Sequence, residues 1–399
     1  MTQSSSLEPQ PSDRVYLDHA ATTPVRDEVW AAMEPFSTLC FGNPSSLHQE
    51  GKSAHKSLEE ARESIRSVCR AKDFHLAFTA SGTEADNSAL VGALLAAKEN
   101  APRSAAPIHI VTTAIEHSAV LEVAPLIRTL GGDVTIVGVD QNGRVDPDAV
   151  EDAIQPNTCL VSVIGANNEI GVVQDIAEIG RRAKQRGVLV HTDAVQWLGK
   201  LRLDLEELSV DLLSVSAHKI YGPKGIGALF VRRGAAWSPV LRGGAQEDGL
   251  RAGTENVGAA VGFAKAVRLV DSEIDSEMPR LMSLRNRLEE LIVERFEDVT
   301  INGAREHRVA SILSCTFSEI EGESLVKLLN HFGVSVSTAS ACSTGAHKPS
   351  HVLSAMGRGR NEVRGSIRFS LGRSNDERQI DAAVQALDRA LRQLRAIAP

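Results

Sequence analysis

Leu212-Leu213-Ser214-Val215-Ser216-Ala217-His218-Lys219-Ile220-Tyr221-Gly222-Pro223-Lys224-Gly225 runs from a short apolar segment straight into a polar, glycine-containing turn. Leu212–Ser216 is short, mostly apolar and bounded by turn signals, which predicts a buried strand. The pattern recurs upstream at Leu76–Thr79, Ile108–Thr113, Val134–Val139, Cys159–Ile164 and Val188–Thr192, and downstream at Gly227–Val231. Helical spacing lies between. Ala54, Leu58, Ala61, Ile65 and Val68 recur at steps of three and four, predicting a helix over Gln49–Ala71. Further helices are expected at Thr83–Lys98, Ser118–Leu130 and Ile176–Gln185. Continuous apolar strands separated by helices predict an α/β fold, its mainly parallel sheet covered on both faces. Gly258–Phe296 is long, charged and helical in pattern. Beyond it come strands at Ile312–Thr316, Val334–Ser337 and Ser366–Ser370, and a closing helix at Asp376–Ile397. The expected division is a large domain over 24–266 and a smaller one made of 1–23 and 267–399.

Composition excludes several classes. Of 399 residues, 42% are apolar and 24% charged, as in ordinary globular proteins and unlike disordered or collagen-like chains. Net charge is −8, from 43 basic and 51 acidic residues, without the basic stripe of a nucleic-acid binder. No apolar run reaches the ~18 residues of a membrane span. Met1–Arg14 is rich in Ser, Pro and Gln and lacks an apolar export core, so a loose tail and a cytoplasmic location are expected. Five cysteines without CxxC spacing argue against a disulfide scaffold or a zinc site, and no metal is expected. Gly222, Gly225 and Gly227 do not form a GxGxxG, and there is no Walker pattern.

The chemistry starts at Lys219. A lysine at a strand end, flanked by Ser216 and His218, suits an imine-forming amine beside a phosphate site. Most lysines in such turns are simple surface residues; Asp193 changes the balance. It closes the apolar strand of His191-Thr192-Asp193-Ala194-Val195-Gln196, at the carboxyl edge where α/β sheets bind ligands. Pyridoxal phosphate needs a carboxylate on its ring nitrogen and a lysine on its aldehyde. Asp193 and Lys219, 26 residues apart on successive strand ends, supply both. Thr79-Ala80-Ser81-Gly82-Thr83-Glu84 reads as strand, turn and helix start, where backbone N–H groups receive phosphate. An ordinary Ser81 or Thr83 cap explains the same letters, and the two roles are compatible. His117, just past another strand, is a candidate lid over a cofactor ring.

Five segments, taken together, resemble the cysteine desulfurases of the NifS/IscS-like branch. They are Tyr16-Leu17-Asp18-His19-Ala20-Ala21-Thr22-Thr23-Pro24, Asn43-Pro44-Ser45-Ser46-Leu47-His48, Ser81-Gly82-Thr83-Glu84-Ala85-Asp86-Asn87, Asn167-Asn168-Glu169-Ile170-Gly171 and Ser216-Ala217-His218-Lys219. The likeness runs from about Val15 to the last helix. It implies the type I fold of pyridoxal phosphate enzymes, with a mainly parallel seven-stranded sheet in the large domain and the catalytic cysteine loop in the small one. By this resemblance Lys219 carries the cofactor, Asp193 faces the pyridine nitrogen, Gln196 the ring hydroxyl, and His117 stacks on the ring. Gly82, Thr83, Ser216 and His218 hold the phosphate. Thr254, in Arg251-Ala252-Gly253-Thr254-Glu255-Asn256, contacts the phosphate of the neighbouring subunit, implying a homodimer. Asn168 lies near cofactor and substrate, and Arg368 pairs with the substrate carboxylate, assisted by Asn43.

The same resemblance makes Cys342 the sulfur-accepting nucleophile. Its surroundings, Ser340-Ala341-Cys342-Ser343-Thr344-Gly345-Ala346-His347-Lys348-Pro349-Ser350, are small and polar, as in an exposed loop, and His347 and Lys348 favour the thiolate. The implied reaction takes sulfur from L-cysteine, leaves L-alanine, and passes the sulfur from a persulfide on Cys342 to an acceptor protein such as an iron–sulfur scaffold. The alternatives on this scaffold are a selenocysteine lyase and a class V aminotransferase. Two positions depart from the common pattern: His19, where many relatives have Asn, and Ala245, where Gly is common.

Overall fold

The computed structural model describes residues 14–100, 106–338 and 349–397. Its strands are β1 (Val15–Tyr16), β2 (Phe74–Thr79), β3 (Ile108–Thr113), β4 (Gly132–Val137), β5 (Thr158–Ser162), β6 (Leu189–Asp193), β7 (Leu212–Ser216), β8 (Gly227–Arg232), β9 (Val299–Ile301), β10 (Ile312–Phe317), β11 (Val334–Ser335), β12 (Ser337–Thr338) and β13 (Ser366–Ser370). Seven of them form the main sheet in the order β2-β8-β7-β6-β5-β3-β4. Pairing is parallel from β7 to β4, and β8 runs antiparallel to both its neighbours. β2 therefore points the same way as β7. Every residue of β7 is buried, as expected of a strand covered on both faces.

Helices cover the sheet because their apolar faces repeat every three to four residues. Gln49–Val68 buries Ala54, Leu58, Ala61 and Ile65, and its first turn is capped by His48 Nδ1, which accepts from Gly51 N–H at 3.3 Å. The helix stops short of Ala71 because Arg70 sits at φ 48°. Ile176–Gln185 turns Ile176, Ile179 and Ala183 inward, with Asp175 as its cap. The single helix expected over Ser118–Leu130 is two, Ser118–Leu121 and Ala124–Thr129. Pro125 lacks the N–H that a continuous helix would need there.

A second sheet has the order β12-β13-β10-β9. The single strand expected at Val334–Ser337 is also two. β11 pairs with β1, while β12 crosses to β13, with Ser337 opposite Arg368. The two-residue β1 and the three-residue β9 were too short to carry a visible period. The 39-residue helix Val257–Arg295 serves two cores. Its Phe263, Val267 and Val270 pack under the main sheet. Its Leu281, Leu284 and Leu288 pack with Leu17, Phe317 and Phe369 around the smaller one.

Candidate active site

β2, β3, β5, β6 and β7 all end at one edge of the main sheet, so the residues that follow them converge there. Asp193 closes β6 and is buried; its Oδ1 accepts from Val195 N–H at 2.9 Å. Ser216 closes β7, and one 3-10 turn, Ala217–Lys219, delivers the lysine. Lys219 Nζ donates to the carbonyls of Ala20 and Ala21, each at 2.7 Å. The segment around them is pinned from two sides. His19 N–H and Ala20 N–H bond to the carbonyl and hydroxyl of Ser370, and Thr23 donates to the His218 carbonyl from its backbone and its hydroxyl. His218 Nδ1 lies 3.2 Å from Thr22 Oγ1. This is why the Tyr16–Pro24 motif belongs to the site although it is far away in sequence.

Thr79-Ala80-Ser81 turns into the helix Gly82–Asn100. Ser81 Oγ accepts from Glu84 N–H at 3.1 Å, and Glu84 Oε2 reaches back to Ala80 N–H at 2.8 Å. The cap thus leaves the N–H groups of Gly82 and Thr83, which open the helix and have no intrahelical acceptor. A Cβ at Gly82 would stand 2.8 Å from Val195 Cγ2 and 3.4 Å from Ser216 Cβ. Gly227 lets the turn sit tight on the sheet, since a Cβ there would come within 2.6 Å of the Ser81 carbonyl carbon. Facing this helix start is Ser216 Oγ, buried and without a hydrogen-bond partner among the described residues. A helix N-terminus, a glycine and an unspent hydroxyl form a cradle suited to a phosphate.

Burial sets the charges. It lowers the basicity of the His117 ring, whose Nδ1 accepts from Ala119 N–H at 3.1 Å. Burial also raises the Asp193 carboxyl, opposed by His117 when charged, the Val195 N–H and the positive charge of Lys219. Gln196 Nε2 donates to the Ala20 carbonyl at 2.9 Å. Arg368, 2% exposed, donates from one terminal nitrogen to the Asn168 carbonyl at 2.8 Å and from the other to Asp18 Oδ1 at 2.7 Å; its Nε is buried without a partner among the described residues. Asn168 is therefore beside Arg368 through its backbone. Asn43 and Thr254 are elsewhere: they line a surface groove with Trp30, Phe36 and Phe41, and no described contact joins Asn43 to Arg368. Cys342 lies outside the described residues.

The family model for class-V aminotransferases matches residues 15–383. The chain belongs to the class-V aminotransferase family. Within it, the chain is 43% identical over 385 residues to cysteine desulfurase IscS of Dictyoglomus turgidum, spanning 96% of both chains. It is 42% identical over 385 residues to cysteine desulfurase IscS of Methanosarcina thermophila, spanning 96% of this chain and 94% of that one. The solved structure of a NifS-like protein superposes with a TM-score of 0.88 at 36% identity, over 96% of this chain and all of the other. A second, SspA in complex with cysteine, gives 0.78 at 34% identity, over 90% of this chain and 98% of its own. The chain is thus a class-V enzyme of the cysteine desulfurase branch, with the type I fold of a family that depends on pyridoxal phosphate.

Several polar groups of this class-V site were not singled out from sequence. Glu116 is fully buried; its Oε1 accepts from Thr113 Oγ1 at 2.6 Å and from Ile164 N–H at 2.8 Å, and burial pushes its carboxyl up to about 8. Asp86 is buried, with its Oδ1 lacking a hydrogen-bond partner among the described residues, and burial and the nearby Asp193 charge hold its carboxyl well above the ordinary aspartate range. Glu169 accepts from Ser350 Oγ at 2.5 Å and is pushed by burial to about 7. Lys200 donates to Gln196 Oε1 at 2.7 Å. Asp86, Glu116 and Glu169 fall inside or beside the quoted motifs, but nothing in their spacing distinguished them from helix and loop polarity.

Proposed function

We propose that this protein is a pyridoxal phosphate-dependent cysteine desulfurase that takes sulfur from L-cysteine, releases L-alanine and holds the sulfur as a persulfide on Cys342. The observation that carries the cofactor assignment is the Ser216 hydroxyl. It is buried, has no partner among the described residues, and faces the opening of the helix Gly82–Asn100. A buried hydroxyl left unpaired is costly unless a ligand takes its bond. Bound pyridoxal phosphate supplies an electron sink that lowers the barrier to removing the substrate Cα proton. Gly82, Thr83, Ser216 and His218 would hold its phosphate, and Lys219 would hold its aldehyde. Asp193 would support its ring nitrogen, Gln196 its ring hydroxyl, and His117 would cover the ring. The Lys219 amine moves the substrate Cα proton, with His117 alongside.

Arg368 and Asn168 place the substrate carboxylate. A planar guanidinium can grip it at two oxygens, provided Asp18 yields or shares. Asn43, held in its turn by Ser45 N–H on the Thr254 groove away from Arg368 of its own chain, would assist only across the subunit interface. The Cys342 thiolate attacks the substrate sulfur, the substrate C–S bond breaks, and the Cβ carbon left behind is protonated to give alanine. Both flanks of 339–348 support this role. Ser337 pairs with Arg368 across β12 and β13, and Ser350 is tied to Glu169, next to Asn168. The persulfide then passes to an acceptor protein for iron–sulfur cluster or other sulfur-cofactor assembly.

The enzyme works as a homodimer in which Thr254 of each chain reaches the phosphate of the other. Trp30, Leu39, Phe41 and Leu47 are exposed, and Trp30 and Phe41 share the Thr254 groove; that apolar surface is what a partner subunit would cover. The deciding assay follows alanine and sulfide from L-cysteine beside selenide from L-selenocysteine. A desulfurase yields alanine from L-cysteine and a persulfide at Cys342 by mass spectrometry. Alanine from selenocysteine alone would sink the assignment in favour of a lyase. Lys219→Ala should abolish both turnover and the visible absorbance of lysine-bound cofactor.

A further inference from the structure

Lys200 lies near Lys219 and takes no part in the proposed chemistry. It ends the turn after Gln196, is partly buried, and lines a cavity under Lys219 together with His19, Tyr221, Ser311 and Glu277. Its Nζ donates to Gln196 Oε1 at 2.7 Å. Gln196 Nε2 donates to the Ala20 carbonyl at 2.9 Å, and that same carbonyl accepts from Lys219 Nζ at 2.7 Å. Two amines are therefore joined by one amide and one carbonyl. An ammonium has donors only, so Lys200 dictates which end of the Gln196 amide faces it, and the NH2 end is turned toward Ala20 and Lys219.

We propose that Lys200 is a positioning residue for Lys219: through Gln196 it fixes the polar frame that holds the reactive amine, and its positive charge favours the neutral, nucleophilic form of that amine. The inference rests on Lys219 being the reactive amine. The groups around Lys200 leave its charge largely uncompensated. Lys219 and Arg368 are cations that act on it. His19 and His218 are both pushed down to about 4 by burial and are neutral at pH 7. Across the cavity Glu273 is spent on Arg26, Glu277 on Arg280, and Arg373 adds a further positive charge. Burial and these cations bring Lys200 itself down to about 7, so its influence should fade as the pH passes through neutrality.

That fading separates charge coupling from simple structural support. In apo-protein, freed of cofactor with hydroxylamine, acetic anhydride labels Lys219 at a rate proportional to its free-amine fraction, read by peptide mass spectrometry. Lys200→Met keeps the volume and removes the charge. A neighbouring like charge moves a buried amine by about one pH unit. Labelling of Lys219 at pH 6 should therefore fall about tenfold in Lys200→Met, and the difference should vanish above pH 9, where the wild-type Lys200 is neutral too. Lys200→Arg, a cation that does not titrate, should keep the fast labelling at pH 6 and exceed wild type at pH 9. Equal labelling of wild type and Lys200→Met at pH 6, or a deficit of the same size at both pH values, would overturn the proposal. The assignment of Lys219 is read separately: added pyridoxal phosphate should shield Lys219 of the wild type from the reagent. Lack of shielding would remove the cofactor assignment and leave the coupling, measured without cofactor, intact.

Discussion

Ser216→Ala should act in opposite directions on the empty protein and on cofactor binding. In the empty protein the hydroxyl is buried, lies against Gly82 and has no hydrogen-bond partner among the described residues. Replacing a buried unsatisfied hydroxyl by a methyl of similar size removes a desolvation cost, so apo stability should hold or rise, by ~1 kcal/mol at most. Bound phosphate is an anion, and a hydrogen bond to a charged group is worth ~1.5–3 kcal/mol. At ~1.4 kcal/mol per tenfold, Kd for pyridoxal phosphate should rise about 10- to 100-fold. Apo stability is read from urea unfolding at 25 °C, affinity from equilibrium dialysis of the apo-protein against the cofactor. Because ligand binding stabilises by mass action, the variant should also gain less melting temperature at a fixed cofactor concentration. A variant that loses more than ~1 kcal/mol of apo stability while keeping wild-type affinity would show that Ser216 braces the fold and that the phosphate sits elsewhere.

Cys342→Ala should keep the visible absorbance of bound cofactor and still respond to L-cysteine, while alanine release falls by at least ~10²-fold, because no thiolate takes the sulfur; wild-type alanine release in this variant would refute the role. Glu116, fully buried and pushed up to about 8, makes stability fall with rising pH. The unfolded chain ionises near the ordinary Glu value while the folded one stays protonated up to about 8, so stability present below pH 4.5 is lost up to about pH 8. Glu116→Gln, which can keep its acceptor for Thr113 and Ile164, should flatten apo urea-unfolding stability between pH 5 and 8; an unchanged slope would point to other groups. Lys219→Ala mixed with a Thr254→Ala, Gln246→Ala double variant that is itself impaired should regain activity in heterodimers, whereas a competent monomer at low concentration would remove the shared-site assignment.

The sequence made the strand ends legible because a buried parallel strand is an unbroken apolar run, and the polar residue that breaks it stands at the ligand edge. Asp193, Ser216, Lys219 and His117 were all found this way. Element breaks were harder. Pro125 divides a helix whose apolar spacing continues across it, and Val336 divides a run of β-formers that changes sheets, a tertiary event with no local mark. Arg368 was found as a residue but not in its present bonds. Its pairing with Asp18 joins positions 350 apart, which no spacing rule reaches.

The groups that the sequence leaves unmarked are the buried acids, and they bear on which carboxylate carries the charge. Asp193, Asp86 and Glu116 lie close enough to perturb one another, and burial penalises each anion. Three buried carboxylates cannot all ionise together, so their surroundings decide which one does. Asp86 has one oxygen with no partner and carries the added repulsion of Asp193. Glu116 accepts two hydrogen bonds through Oε1 but has Oε2 unpartnered, and stays protonated to about pH 8. Asp193 alone combines a backbone N–H donor with the nearby positive charge of Lys219. Of the three, Asp193 therefore has the surroundings that best support an anion, while burial and mutual repulsion push Asp86 and Glu116 toward their protonated forms. Under the proposed assignment of Asp193 to a pyridine nitrogen, the neighbouring buried acids would tune that carboxylate as much as the ligand would.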